Sequence, residues 1–234
     1  MRPGNDKGKN IAIVLAAGKG KRMGTDIPKQ FLSIHDKPVL YYSLKVFQEH
    51  EDIDEIVLVL SEEYKEYTQR EILEKYGITK VSAIAEGGAE RYDSVMAGLS
   101  ACVDCSCVFI HDGARPCITK EIIDRCLAAV DETGACAAGM PSKDTIKIAD
   151  ENGCVSYTPP RQRVWNIQTP QVFSYKLICD AYKEIREKSM TGITDDAMVV
   201  ESSNKAKIRL VEGSYENIKV TTPDDIKVLE NLLN

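Results

Sequence analysis

Ile11-Ala12-Ile13-Val14-Leu15-Ala16-Ala17-Gly18-Lys19-Gly20-Lys21-Arg22-Met23-Gly24 is the stretch from which the architecture can be read. Ile11 to Leu15 is a short, β-branched, uninterrupted apolar run, which predicts a strand buried on both faces. It ends abruptly in small residues and lysines, the chemistry of a turn at a strand's carboxyl end. Working outward, the pattern repeats. Val39, Leu40, Leu44 and Phe47 recur at helical spacing after Pro38, a good first-turn residue. Ile56 to Leu60 is a second buried strand, followed by a charged helix from Glu62 to Tyr76 that Gly77 stops. Val81 to Ala85, Cys107 to Ile110 and Ala135 to Ala138 read as further strands. Helices marked by Val95, Met96 and Leu99 and by Lys120 to Val130 separate them. This alternation predicts an α/β fold, a mostly parallel sheet with helices on both faces.

The rhythm breaks after Met140. Thr145 to Ile148 alternates, Asp150-Glu151-Asn152-Gly153 is turn chemistry, and Cys154 to Tyr157 returns, so residues 141–163 are expected to form a β-hairpin arm. Such a hairpin has little apolar area of its own and is marginal in water, so it must lean on another surface. Helices resume at Tyr175 to Lys188 and Asp195 to Ser202. Strands at Ile208 to Val211 and Ile218 to Thr221 and a helix from Pro223 to Leu233 close the chain. The expectation is one domain over residues 1–234 with a projecting arm.

The chain has 234 residues, and its 30 Lys and Arg against 36 Asp and Glu leave a formal net charge of −6. That balance argues against general nucleic-acid binding, which needs a broad basic footprint. Any anionic ligand must meet a local cluster instead. The apolar run Ile11 to Ala17 is too short to span a bilayer, and no small-residue cleavage site precedes it, so the reading is cytoplasmic and without membrane attachment. The eight cysteines include Cys102-x-x-Cys105-x-Cys107 beside His111. Cys107 opens an apolar strand and no second ligand pair follows at zinc-finger spacing, so these are read as small buried residues.

Chemistry in such a sheet belongs at the carboxyl ends of the strands. Small residues after the first strand let backbone N–H groups approach a phosphate, and Lys19, Lys21, Arg22 and Lys29 add positive charge. The loop is neither a Walker A loop nor the dinucleotide fingerprint, since Gly18-x-Gly20-x-x-x-Gly24 has one residue too many. At the end of the fourth strand, Asp112 in His111-Asp112-Gly113-Ala114-Arg115-Pro116 is placed to hold Mg²⁺, which takes hard oxygen ligands. It could equally cap the turn or pair with Arg115. His111 is read as packing or hydrogen-bonding at the strand end.

The blocks Leu15 to Gly18 with Arg22-Met23, Pro28-Lys29-Gln30, Gly87 to Arg91 with Asp93-Ser94-Val95, and His111 to Pro116 occur in a telling order. Lys143-Asp144-Thr145, Thr169-Pro170-Gln171, Thr194 to Ala197 and Asn217 to Thr221 follow. Together they resemble the 2-C-methyl-D-erythritol 4-phosphate cytidylyltransferase family of the isoprenoid pathway, over about residues 10–234. The resemblance implies a Rossmann-like nucleotidyltransferase fold, a homodimer that exchanges arms, and Mg²⁺. The implied reaction joins CTP to a sugar-alcohol phosphate and releases pyrophosphate. It further implies that Ala16, Ala17 and Gly18 with Arg22 and Lys29 hold the triphosphate. Gly88, Ala89 and Ser94 would contact cytosine and ribose, Asp112 would sit at the metal, and Lys219 beside the α-phosphate. Thr145, Arg161, Thr169 and Thr194 would surround the acceptor phosphate. Ala89 stands where some relatives carry Asp: a base contact through the backbone is unaffected by the change, whereas one through the side chain is lost.

The physics of the implied reaction asks for the same parts. An anion attacks the α-phosphorus of another anion, so cations and positioning dominate, and no nucleophilic side chain or general base is needed. Transfer to ribitol 5-phosphate is the nearest alternative, disfavoured by Ala16-Ala17-Gly18 and by Gly113-Ala114 after Asp112. A nicotinamide-dependent oxidoreductase lacks its fingerprint here. A mere nucleotide-binding module would not need Arg22, Lys29, Asp112 and Lys219 together.

Overall fold

The computed structural model describes residues 8–18, 27–188 and 192–233 of the chain. Its centre is a seven-stranded sheet. The first strand, β1 (Lys9–Leu15), is followed by a small antiparallel pair, β2 (Ser33–Ile34) and β3 (Lys37–Pro38), and by α1 (Val39–Glu49). Then come β4 (Glu55–Leu60), a short α2 (Lys65–Thr68) flanked by 3-10 and π turns, β5 (Val81–Glu86), α3 (Arg91–Ser100) and β6 (Cys105–Asp112). The chain continues through α4 (Lys120–Thr133), β7 (Ala135–Pro141), the pair β8 (Ile148–Ala149) and β9 (Val155–Tyr157), and β10 (Trp165–Ser174). It ends with α5 (Tyr175–Glu187), α6 (Asp196–Ser202), β11 (Arg209–Glu212) and α7 (Pro223–Leu232).

The sheet order is β11-β7-β10-β6-β1-β4-β5, and β10 alone among these seven runs antiparallel to its neighbours. The uninterrupted apolar runs are explained by the two faces. Ala12, Val14, Ile56, Leu58 and Phe109 pack on one face with α1 and α4, while Ile11, Ile13, Val57, Val59 and Ile110 pack on the other with α3, α5 and α6. Alternate side chains point to opposite faces of a strand, so burial on both sides demands apolar residues at every position. Each large side chain so buried contributes about 1.5–3 kcal/mol.

Three expectations need correction. Residues 165–174 received no element from the sequence, yet they form β10, inserted between β6 and β7. Ile218 to Thr221 is not a strand; Val220 donates one backbone hydrogen bond to the Ala114 carbonyl (2.9 Å) and its side chain is buried in a third small cluster with Ala114 and Leu229. The helix expected over Glu62 to Tyr76 is broken into 3-10, α and π turns. Gly77 does follow it at φ +65°, the left-handed geometry that suits glycine. The arm forms as a short antiparallel pair whose turn places Gly153 at φ +78°.

Candidate active site

The β1–β6 pairing puts Leu15 directly beside Asp112, so the two strands deliver their carboxyl ends to the same place. The sheet grows from β1 toward β4 on one side and toward β6 on the other, the switch point at which open α/β sheets leave a crevice. A cavity of about 950 Å³ opens there. Its wall includes Ala16, Ala17, Gly18, Lys29, Gly88, Ala89, Ser94, Asp112 and Lys219, nine of the residues expected from the sequence.

The loop after β1 is anchored through its carbonyls. Gln30, 3% exposed, donates from Nε2 to the carbonyls of Ala16 and Gly18, and Ser61 Oγ donates to that of Ala17 (3.1 Å). In a trans peptide the C=O and the following N–H point opposite ways, so the N–H groups of Ala17 and Gly18 are turned away from these anchors. The neighbouring loop comes so close that a Cβ on Gly87 would lie 2.2 Å from Ala17 Cβ. Only glycine permits that approach. Ser94 Oγ accepts from the Gly88 N–H (3.1 Å), and a capping box of Glu90 and Asp93 closes the start of α3, whose amino end faces the cavity wall.

The cavity floor is cationic. Lys219 Nζ lies 2.7 Å from Asp112 Oδ2, with Arg115 Nε at 3.8 Å from the same oxygen and Arg91 Nε at 3.7 Å from Oδ1. Burial alone would push the Asp112 carboxyl up, but Lys219, Arg91 and Arg115 outweigh it and hold it well below the ordinary carboxylate range. Lys29 Nζ donates to the Val220 carbonyl (2.6 Å), which ties it to the segment that carries Lys219. Arg115 Nη1 donates to the Asn217 carbonyl (2.7 Å).

His111 lies beneath this floor, fully buried. Its Nε2 faces the Arg115 carbonyl (3.2 Å) and must carry the proton, so Nδ1 accepts from the Thr169 hydroxyl (3.1 Å). Thr169 Oγ1 in turn accepts the Asp112 N–H (3.0 Å). Burial pushes the imidazole pKa down to about 4.

The other expected residues are placed differently. Thr169 is buried under Asp112 rather than at the cavity wall. Thr145 and Thr194 are exposed, and Arg161 lines a separate space of about 410 Å³ with Pro141, Ser142 and Gln162 at the base of the arm. Arg22 lies outside the described residues. Arg91 belongs to the Gly87 to Arg91 block, but the sequence carries no signal for its role, because its partner Asp196 lies 105 positions away. Among the described residues, one group of His, Cys, Asp and Glu side chains could share an ion: His50, Asp52 and Asp124. It contains no cysteine and none of the cavity residues. No described helix is long and apolar enough to cross a membrane.

Comparison with known proteins gives one consistent result. A family model described as IspD, 2-C-methyl-D-erythritol 4-phosphate cytidylyltransferase, matches residues 10–234. A protein of that name from Lachnospira eligens is 51% identical over 220 residues, covering 94% of this chain and 96% of the relative. Another of that name, from Alkaliphilus oremlandii, is 49% identical, covering 96% and 95%. The crystal structure of 4-diphosphocytidyl-2C-methyl-D-erythritol synthase from Anaerococcus prevotii superposes with a TM-score of 0.86 at 34% identity, covering 97% of each chain.

Proposed function

The chain belongs to the 2-C-methyl-D-erythritol 4-phosphate cytidylyltransferase family, and from this premise we propose how its cavity carries out that reaction. The enzyme transfers CMP from CTP to 2-C-methyl-D-erythritol 4-phosphate and releases pyrophosphate. Ribitol 5-phosphate as acceptor has no support among these relatives. The observation that carries the assignment of roles is the juxtaposition of Lys29, Lys219, Asp112 and the Ala16-Ala17-Gly18 loop around one cavity at the switch point.

In this reading the cytosine and ribose lie against Gly88, Ala89 and Ser94, and the triphosphate lies along the Ala16-Ala17-Gly18 loop with Arg22 and Lys29. An oxygen of the acceptor phosphate attacks the α-phosphorus, a new P–O bond forms, and the bond to pyrophosphate breaks. Negative charge accumulates on the α-phosphoryl oxygens, and Lys219 meets it from the cavity floor. Asp112 fits Mg²⁺, since a single buried carboxylate plus substrate phosphates and water is a usual Mg²⁺ environment. Bound there, the ion would neutralise phosphate charge. Thr169 and His111 hold the Asp112 backbone in place, while Thr145, Arg161 and Thr194 serve the acceptor phosphate. The arm, residues 141–163, reaches across a two-fold axis to the neighbouring subunit's cavity, and the cytoplasm is the compartment we assign.

Pyrophosphate release from CTP, measured with 2-C-methyl-D-erythritol 4-phosphate and with ribitol 5-phosphate in parallel, tests the reading. Turnover with the first and at least about a hundredfold lower kcat/KM with the second is expected. Preference for ribitol 5-phosphate would overturn the acceptor. In the same assay Asp112→Asn should need a higher Mg²⁺ concentration for half-maximal rate, because a hard cation prefers a full carboxylate charge.

A further inference from the structure

Arg91 occupies an unusual position: it opens α3 at the nucleotide-side wall, yet its fork is spent on a carboxylate from the opposite side of the sheet order. Nη1 donates to Asp196 Oδ1 (2.9 Å) and Nη2 to Oδ2 (2.6 Å), a bidentate pair across 105 positions of sequence. Asp196 is completely buried. Its Oδ1 accepts a second hydrogen bond from the Tyr182 hydroxyl of α5 (2.6 Å). Nε faces Asp112 Oδ1 at 3.7 Å.

Burial works against the guanidinium charge, but Asp196 more than compensates and holds Arg91 firmly ionised. A buried carboxylate satisfied on both oxygens is costly to assemble and costly to break on one side. Val95 and Leu99 seat α3 in the core independently of this pair's hydrogen bonds.

What the pair does is join three parts of the site. Arg91 directly follows the Gly87–Glu90 loop. Its Nε stands against the carboxylate at the cavity floor. Asp196 is the first residue of α6, whose N-cap Asp195 accepts from the Met198 N–H (2.9 Å) and from Gln171 Nε2 (2.9 Å). Gln171 Oε1 also accepts the Ala197 N–H (2.8 Å), so the start of α6 is fixed to β10 as well as to α3. Thr194, assigned above to the acceptor, is the residue just before this fixed point.

We propose that Arg91, clamped by Asp196 and Tyr182, is a positioning residue that sets the acceptor-side segment around Thr194 and the Asp112 carboxylate in register with the nucleotide. The inference rests on the functional reading above. Arg91 reaches the cavity wall, but its fork is turned onto Asp196, and we therefore assign it no direct contact with CTP. Its loss acts on the acceptor and on the chemical step, while nucleotide affinity is retained.

The test begins with the wild-type enzyme turning over CTP and 2-C-methyl-D-erythritol 4-phosphate; if it does not, the functional reading fails before any variant is compared. Arg91→Lys keeps the charge and loses the fork, and Tyr182→Phe removes one hydrogen bond while leaving the ring to pack. CTP Kd is measured by calorimetry, and kcat and acceptor KM by pyrophosphate release. Arg91→Lys should lower kcat about tenfold and raise acceptor KM about tenfold, with CTP Kd changed by less than about twofold. Tyr182→Phe should shift kcat and acceptor KM the same way by about threefold, and the double variant should be less impaired than the product of the two. Lowered thermal stability with unchanged kcat and acceptor KM in Arg91→Lys would reduce the pair to a structural bridge and overturn the proposal. CTP Kd weakened as much as acceptor KM would make Arg91 a nucleotide ligand and overturn it equally.

Discussion

The cavity floor and the arm are built by opposite means. At the floor, Leu15 and Asp112 end strands whose residues are buried on both faces, and side chains such as Gln30 and His111 are spent on fixing backbone. The arm is held by local bonds. Asp150 Oδ1 accepts the N–H groups of Asn152 (3.0 Å) and Cys154 (2.9 Å), and Lys147 Nζ donates to Thr158 Oγ1 (2.8 Å). At its base Ser142 N–H bonds the Val164 carbonyl (2.8 Å), and Lys143 sits 3.5 Å over the Tyr215 ring. Its apolar side chains face outward, Val155 61% and Tyr157 57% exposed. Core burial gives the floor a geometry independent of any partner. The arm has the backbone of a hairpin without the burial that makes hairpins stable, which is why we assign it a surface on a second subunit.

The contrast breaks most sharply if the floor's cations are dispensable. Lys29→Ala and Lys219→Ala should each lower kcat by at least about a hundredfold, on the order of 3 kcal/mol of lost charge stabilisation in a water-poor site, read by steady-state pyrophosphate release. Near-normal turnover in Lys29→Ala would leave the loop a basic surface. The same loss is expected of Arg22→Ala.

Mixing two dead variants tests the arm. Lys29→Ala damages the cavity of its own subunit, and Arg161→Ala damages the neighbour's if the arm is exchanged. After statistical subunit exchange, verified by differential tags, activity should return to about one quarter of wild type, because half the dimers then hold one intact site. A dead mixture of proven heterodimers would return the arm to its own subunit.

A smaller effect separates the floor from the arm by pH. His111 has its pKa depressed from 6.5 to about 4, so between these values the unfolded state binds more protons than the folded one. Stability attributable to His111 is therefore complete above pH 6.5 and lost as pH falls toward 4. Urea unfolding should show a loss of about 2 kcal/mol from this group between pH 6.5 and 4.5, and His111→Gln should flatten that slope. Asp112, held below the ordinary carboxylate range, contributes its own loss only at still lower pH. An identical slope in the variant would show that another buried group carries the acid sensitivity.

Much of the fold is legible in runs such as Ile11 to Leu15 and Ile56 to Leu60, because burial on both faces leaves no polar position to blur the pattern. β10 is not legible for the reverse reason. Its middle carries Gln168, Thr169, Pro170 and Gln171, residues that argue against a central strand. In the structure their polarity is consumed locally: Gln168 donates to the Ser214 carbonyl (2.7 Å), Gln171 binds Asp195 and Ala197, and the register shifts between Ile167 and Gln171. Ile218 to Thr221 has strand-like residues, but its backbone bonds run to Glu216 within the same turn and to Ala114, not to a neighbouring strand, so β-propensity there serves packing rather than a ladder.

At the site, the glycine-rich loop, Lys29, Asp112 and Lys219 announce themselves by chemistry, since short-range spacing and charge are properties of sequence alone. Arg91 opening a helix after Gly87-Gly88 was equally visible as a residue and silent as a role. Its partner lies 105 positions away, and only the packing of α3, α5 and α6 on one face of the sheet brings Arg91, Tyr182 and Asp196 within hydrogen-bond distance. Local periodicity and blocks in a set order are enough to specify the layers of the fold, the family and the cationic character of the cavity. The tertiary structure alone decided that Thr169 lies beneath Asp112 rather than beside the cavity, that β10 divides β6 from β7, and which charges pair. Pairing depends on which strand ends share a crevice, and that is set by global topology rather than by neighbours in the chain.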